Sequence, residues 1–328
     1  MKRDDGFLAK IEQAALKTHV PGVAIAISEF DQVSTYSVGV IEKEAREVTE
    51  QSIFHVSSLA KPVFAALIVL LHKNGIVNID RPIIEWGGLE HRIDHPWLAQ
   101  VTARSILNHS SGIVDTNTNS TLINVASAPS TAFTYSNSAY WLLQNVLIRS
   151  KLPELGSYLE TFLKNLNMLN STFLPDSLPT DNVTTGYDIQ GNQVQRFKPY
   201  PLNIAHSLFS CPQDFVTFMS TLIQTDDLFE EIIDMANHVT ITSNLSWSIG
   251  WGIQQVEGET ALWHSGSSLG YTSYVVCYPE RRISVAIMAN RDRCFDFLFS
   301  ALISSNVLKE RDLHSLRWLL KDPVPTFV

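Results

Sequence analysis

The residues best suited to chemistry lie in one stretch, Phe54-His55-Val56-Ser57-Ser58-Leu59-Ala60-Lys61. A strand-like run over 53–56 gives way there to an apolar helix expected over 63–71. Ser58 and Lys61 are three apart, a spacing that on a helix brings Cβ atoms within about 5–6 Å. A serine hydroxyl becomes a useful nucleophile at neutral pH only when a neighbouring base takes its proton, and an amine one turn away can do so. The helix start adds unpaired backbone N–H groups and a partial positive charge, both favourable to an anion. Pro62 is tolerated there because first-turn N–H groups have no intrahelical partner. No other lysine in the chain has a serine three positions before it. Ser57 is the competing hydroxyl but sits one step back toward the strand, so Ser58 is the expected nucleophile.

Two further motifs carry reactive side chains. Tyr135-Ser136-Asn137 forms a polar turn ahead of a helical run through Tyr140, Leu143, Leu147 and Ile148, and His264-Ser265-Gly266 falls on a strand. Each alone has a bland explanation: a capped surface helix, a helix-entry turn with a packed tyrosine, a strand histidine with structural hydrogen bonds. His91 and His95 beside Asp94 have the i, i+4 spacing of metal ligands. Pro96 breaks any helix there and no third ligand motif stands nearby, so a solvated loop and no metal are expected. Arg291 and Arg293 could meet a substrate carboxylate, although a solvated turn suits them better. Trp247, Trp251 and Trp263 fit a pocket lining or plain core packing.

The surrounding pattern says what must position these groups. An amphipathic helix over 7–17 stops at Pro21-Gly22, and two strands follow over 23–27 and 34–40, joined by a tight turn. The long helix ends at Asn74-Gly75, a plausible left-handed cap. From there to about residue 240 helix and loop dominate, with helices capped by Thr102, over 155–166, and from a capping box at Ser210-Cys211-Pro212-Gln213 through 222. Strands return over 251–256, 261–264, 271–278 and 283–289, before a closing helix over 295–308. Strands at both ends with helices between predict one antiparallel sheet built from the two termini: a single domain, 1–328, with an α/β subdomain (1–57 and 245–328) and an inserted helical subdomain (58–244).

Composition narrows the function. The 328 residues are 45% hydrophobic and 17% charged, with formal net charge −9. That supplies a large core and no basic patch, which argues against nucleic-acid partners. The longest apolar run is too short to span a bilayer, and no apolar signal-peptide core follows the first residues. Three cysteines without C-x-x-C spacing suit reduced thiols, and a cytoplasmic location is expected.

In order and context, the three motifs resemble those of the serine β-lactamase and penicillin-binding protein superfamily, particularly its class C-like branch of lactamases, DD-peptidases and esterases. That family reads S-x-x-K at a helix start, Y-x-N before a helix, and K-T-G or H-x-G on an edge strand. Residues 102–112 are similar to its T-x-x-x-L-L-x-H-x-S-G segment, and Gly250-Trp251-Gly252 and His264 to Gly270 to two of its strand motifs. The resemblance covers about 7–308. It implies a β-lactamase/transpeptidase-like α+β fold and a cofactor-free serine hydrolase acting through an acyl-enzyme on an ester, amide, β-lactam or D-amino-acid peptide. Ser58 would be acylated, Lys61 and Tyr135 would move its proton as one titrating unit, and Asn137 would hold a substrate amide or orient Lys61. The amides of Ser58 and Ser267 would form the oxyanion hole. Gly266 would let substrate pass close to the backbone, with His264 pointing into the cleft. His264 stands where penicillin-recognising members usually carry lysine, which implies a preference for uncharged esters. The stretch 206–210 replaces a Gly-rich loop of many relatives. The rival of a different class is a catalytically silent relative that binds a ligand or partner protein.

Overall fold

A computed structural model describes residues 5–42, 46–87, 95–115, 123–175, 178, 181–194, 202–234 and 238–321. In chain order the elements are α1 (Asp5–Thr18), β1 (Gly22–Glu29), β2 (Gln32–Gly39), β3 (Phe54–Ser57), α2 (Ala60–Lys73), α3 (Ala103–Leu107), β4 (Ile113–Val114) and β5 (Asn124–Val125). Then come α4 (Asn137–Ser150), α5 (Leu155–Asn165), β6 (Leu208–Ser210), α6 (Pro212–Gln224), α7 (Asp226–Ile233), β7 (Val239–Thr240) and β8 (Leu245–Trp247). The chain closes with β9 (Gly252–Val256), β10 (Glu259–Ser268), β11 (Tyr271–Tyr278), β12 (Ile283–Ala289), α8 (Phe295–Ser304) and α9 (His314–Lys321).

Eight strands make one antiparallel sheet in the order β2-β1-β12-β11-β10-β9-β8-β7. The two ends of the chain meet where β1 pairs with β12, Val23 opposite Ala289 and Ile27 opposite Val285. Strand side chains alternate between faces, and this sheet buries both. Val23, Ile25 and Ile27 join one core with α1, α8 and α9; Ala24 and Ala26 join the other with α2, α4, α5 and α6. Helix α6 lies against β1 and β12, and β7 begins at Val239, ahead of the boundary at 245 expected from sequence.

Helix α2 is buried on nearly every side, Ala60 to Val69 plus Leu71. A helix apolar all round belongs inside a large core, and fully burying each of its larger apolar side chains contributes about 1.5–3 kcal/mol. It ends as expected at Asn74, with Gly75 at φ +71°. Thr102 caps α3 through a reciprocal pair with Ser105. The capping box at Ser210 is not formed. Cys211 is the residue preceding α6, and Ser210 ends β6 with its hydroxyl 2.8 Å from that of Ser171. Strand β10 runs on through Ser268 because β11 pairs along its whole third motif. All three cysteines are buried free thiols.

Candidate active site

Strand β3 delivers Ser58. It crosses the sheet on the α2 side, packed against β10 and β11, and its register with β6 breaks between His55 and Ser57. Ser57 has φ +49°, a strained conformation for a side-chain-bearing residue, and its hydroxyl donates to the Ser267 carbonyl at 3.0 Å. Ser58 lies in the turn ahead of α2, not in its first helical residues, because α2 begins at Ala60. That turn is nonetheless helical in kind: the Lys61 amide donates to the Ser58 carbonyl at 3.0 Å. The three-residue spacing therefore works as it would on a helix.

Lys61 is wholly buried. Its Nζ lies 3.1 Å from Ser58 Oγ, 2.7 Å from Asn137 Oδ1 and 2.9 Å from the Ala205 carbonyl. Those three neighbours decide what a neutral amine can do. A neutral Nζ has two hydrogens and one lone pair, and two of its partners are carbonyl oxygens that only accept. The lone pair is thus left to the Ser58 hydroxyl. Burial pushes the Lys61 pKa down to about 7, opposed by the charge of Asp115.

Tyr135 hydrogen-bonds Ser58 with its phenol, and its ring lies 4.9 Å from Lys61 Nζ. Its pKa is raised by burial, which outweighs the bond to Ser58. The lysine does not pull it toward phenolate; the two groups move apart, Lys61 toward neutral amine and Tyr135 toward protonated phenol. The ring of His109 stacks on Tyr135 at 4.1 Å, and its Nδ1 accepts from the Ser136 amide at 3.1 Å, which leaves the proton on Nε2.

Asn137 is the first residue of α4 and Ser136 caps that helix, its hydroxyl accepting from the Ala139 amide. Below them lies Asp115. Its carboxylate accepts from the Asn137 amide (2.9 Å), the Ser138 amide (2.7 Å), Ser136 Oγ (3.1 Å) and Asn137 Nδ2 (2.9 Å). These bonds hold its pKa below the ordinary carboxylate value despite burial.

The third motif faces Ser58 from β10. Pairing with β9 stops at Trp263, so His264 to Ser268 form a local edge. The Ser267 carbonyl points at Ser57, and in an extended strand a residue's N–H lies on the same edge as its C=O. The Ser267 amide is thereby directed to the side where Ser58 sits. Gly266 does not open onto a substrate path: a Cβ there would stand 2.1 Å from the Val56 carbonyl and 2.5 Å from Ser273 Oγ. The missing side chain lets β3 lie directly on β10. His264 is buried against Trp247, its Nδ1 2.8 Å from the Ser265 carbonyl, so it carries the proton there. Burial and Lys61 lower its pKa to about 3. His264 is thus neutral across the physiological range, and mild acidification to pH 5 or 6 does not make it a cation.

The structure brings Ser58, Tyr135 and Asn137 together around Lys61 Nζ, with Ser267 against the neighbouring Ser57; His264 does not point into an open cleft but is buried against Trp247. Arg291 donates to the Ile189 carbonyl at 3.1 Å, and Arg293 lies exposed beside Asp292. His91 and Asp94 fall outside the described residues; His95 Nδ1 accepts from the Trp97 amide. Among the described residues no three His, Cys, Asp or Glu side chains form a metal-binding group, and no helix is long and apolar enough to cross a membrane. Sequence reasoning missed Asp115 and the Ala205 carbonyl, and matched His109 only as part of the 102–112 motif without giving it a role. The contacts of His109 and Asp115 with residues 135–138, more than 20 positions on, left no local signal in the sequence.

A family model described as Beta-lactamase matches residues 8–298. The chain belongs to the beta-lactamase family. Among solved beta-lactamase-family structures, the octameric penicillin-binding protein homologue from Pyrococcus abyssi superposes with TM-score 0.79 at 22% identity, over 96% of this chain and 80% of that one. A class C beta-lactamase gives 0.76 at 16% identity over 94% and 99%. At these identities the likeness speaks for the fold, which is the β-lactamase/transpeptidase-like one expected. Curated relatives include the unguisins hydrolase ungD' of Aspergillus campestris (strain IBT 28561), 21% identical over 94% of this chain and 66% of its own. Protein flp of Staphylococcus aureus (strain MW2) is 21% identical over 85% and 61%, and penicillin-binding protein 4* of Bacillus subtilis (strain 168) 23% over 83% and 68%. The chain thus spans about two thirds of the length of these curated relatives.

Proposed function

We propose that the protein is a serine hydrolase that forms an acyl-enzyme on Ser58 with an ester or amide substrate. The observation that carries this reading is the set of partners around Lys61 Nζ, which leaves its lone pair to the Ser58 hydroxyl alone. Neutral Lys61 takes the proton as Ser58 Oγ bonds to the substrate carbonyl carbon. The carbonyl oxygen gains negative charge, met by the amides of Ser58 and Ser267; one such donor is typically worth about 3–4 kcal/mol in the transition state. As the bond to the leaving group breaks, the protonated phenol of Tyr135 gives that group its proton and regains one from the protonated Lys61, whose Nζ lies 4.9 Å from the tyrosine ring, so that Lys61 is again neutral. Water then attacks the acyl carbon and the same groups run in reverse, returning the proton to Ser58.

The substrate class is a small neutral ester or amide, with a β-lactam or D-amino-acid peptide within the same chemistry. Neutral His264 supports the uncharged end of that range, since it supplies no fixed positive charge. The names of the relatives, a hydrolase and penicillin-binding proteins among them, support the reaction class. The test is reaction with a fluorophosphonate and with a penicillin, followed by intact mass and peptide mapping. One adduct on the Ser58 peptide, lost in Ser58→Ala, is expected. No adduct with either reagent would sink the reading in favour of a binding protein, and an adduct that moves with Ser57→Ala would reassign the nucleophile.

A further inference from the structure

We infer that Asp115 is a positioning residue of the reaction: through the side-chain amide of Asn137 it fixes the orientation and the basicity of Lys61. The inference rests on Lys61 acting as the base. An asparagine side chain can be turned end for end with little change of shape, and its two ends have opposite hydrogen-bonding character. Here the choice is made by Asp115. A carboxylate only accepts, so with Asp115 Oδ2 2.9 Å from it the near end of the amide must be Nδ2–H₂. The far end is then Oδ1, 2.7 Å from Lys61 Nζ. Turned the other way, Asn137 would present an N–H₂ to the lysine and compete with Ser58 for its lone pair.

Asp115 is itself immobilised. It receives the Asn137 and Ser138 amides and the Ser136 hydroxyl at the start of α4, so its charge is anchored by the helix it caps. An ordinary helix cap needs only one or two of those bonds. The bond to Asn137 Nδ2 is the one that faces the reaction centre and gives capping a chemical consequence. The same carboxylate is the charge that opposes burial at Lys61, keeping the amine near neutrality's edge instead of far below it. The other titratable groups around Lys61 are Tyr135 and Tyr140, whose rings lie 4.9 and 5.4 Å from Nζ, and the histidines His109, His206 and His264. The tyrosines are held protonated and the histidines neutral by burial, which leaves Asp115 as the opposing charge.

The test reads Lys61 directly. Full-length protein labelled with [ε-13C]lysine, with the Lys61 signal assigned by Lys61→Arg, gives its titration midpoint without any need for activity. Asp115→Asn is expected to lower that midpoint by on the order of 0.5–1 pH unit, and to slow fluorophosphonate acylation at the plateau by about tenfold or more. In an Asn137→Ala background the same substitution should slow acylation less than about threefold, because the relay is already cut. Melting temperatures of all variants monitor the helix cap separately. An unchanged Lys61 midpoint in folded Asp115→Asn, or losses that multiply in full in the double variant, would overturn the inference and leave Asp115 a helix cap. Should Asp115→Asn not fold, Asn137→Ala alone must lower the Lys61 midpoint, and its failure to do so overturns the relay. A protein that shows the expected titration yet acylates with no reagent would keep the coupling of Asp115 to Lys61 through Asn137 but overturn both the proposed hydrolase and the positioning role that rests on it.

Discussion

Replacing Gly266 by alanine tests how Ser58 is held. The added Cβ would lie 2.1 Å from the Val56 carbonyl, whereas ordinary van der Waals contact begins near 3.4 Å. Something must therefore give by the difference, 3.4 − 2.1 = 1.3 Å. Strand β10 is fixed by its full ladder with β11, while β3 has three residue pairs with β6 and a break in their register. The movement falls on β3, two residues before Ser58. A displacement of about 1 Å in a reacting group can lower the rate about 100-fold, and overpacking of this kind costs about 1–3 kcal/mol of stability. Gly266→Ala should thus fold with a lowered melting temperature and form the Ser58 adduct about 100-fold more slowly. The assay is the second-order rate of fluorophosphonate labelling by intact mass, beside thermal unfolding. Labelling within threefold of the unmodified protein would refute the reasoning, because it would show that β3 does not depend on that contact to place the nucleophile.

Lys61→Ala and Tyr135→Phe should each depress acylation severely, and the double variant should be scarcely worse, as for residues acting as a unit; clean multiplication of the two losses would count against a shared proton path. The acylation rate of the unmodified protein should fall as pH drops through about 7, since the amine must be neutral to accept the Ser58 proton; a profile flat from pH 8 to pH 5 would exclude Lys61 as base. The same depressed pKa makes stability rise with pH above about 7, because the unfolded lysine, with a pKa near 10.4, still binds the proton that the folded one has lost. Lys61→Met should remove up to about 1.4 kcal/mol per pH unit from that slope between pH 7 and 8.5, read by chemical denaturation. His264 stays neutral, so the ratio of kcat/KM for nitrocefin to that for p-nitrophenyl butyrate should not rise as pH falls from 7 to 5; a rise following a midpoint near 6 would show that the imidazole titrates.

The sequence by itself determined whatever depends on local spacing and period. The Ser58/Lys61 spacing, the strand over 271–278, the strand over 283–289 and the caps at Thr102 and Asn74 are all legible, because two-residue and 3.6-residue periods and cap chemistry act over a few positions. The order of the three motifs was sufficient to point to the family. Tertiary structure decided the electrostatics. Whether Lys61 is ammonium or amine depends on the water removed from around it and on a carboxylate 54 residues away in sequence, neither of which leaves a mark near position 61. The same holds for His264, whose neutrality comes from burial against Trp247, and for Gly266, whose need for no side chain comes from the Val56 carbonyl of another strand. Asp115 shows the limit most clearly: its chemistry lies in contacts with residues 136–138, more than 20 positions on, which exist only once α4 has docked above it.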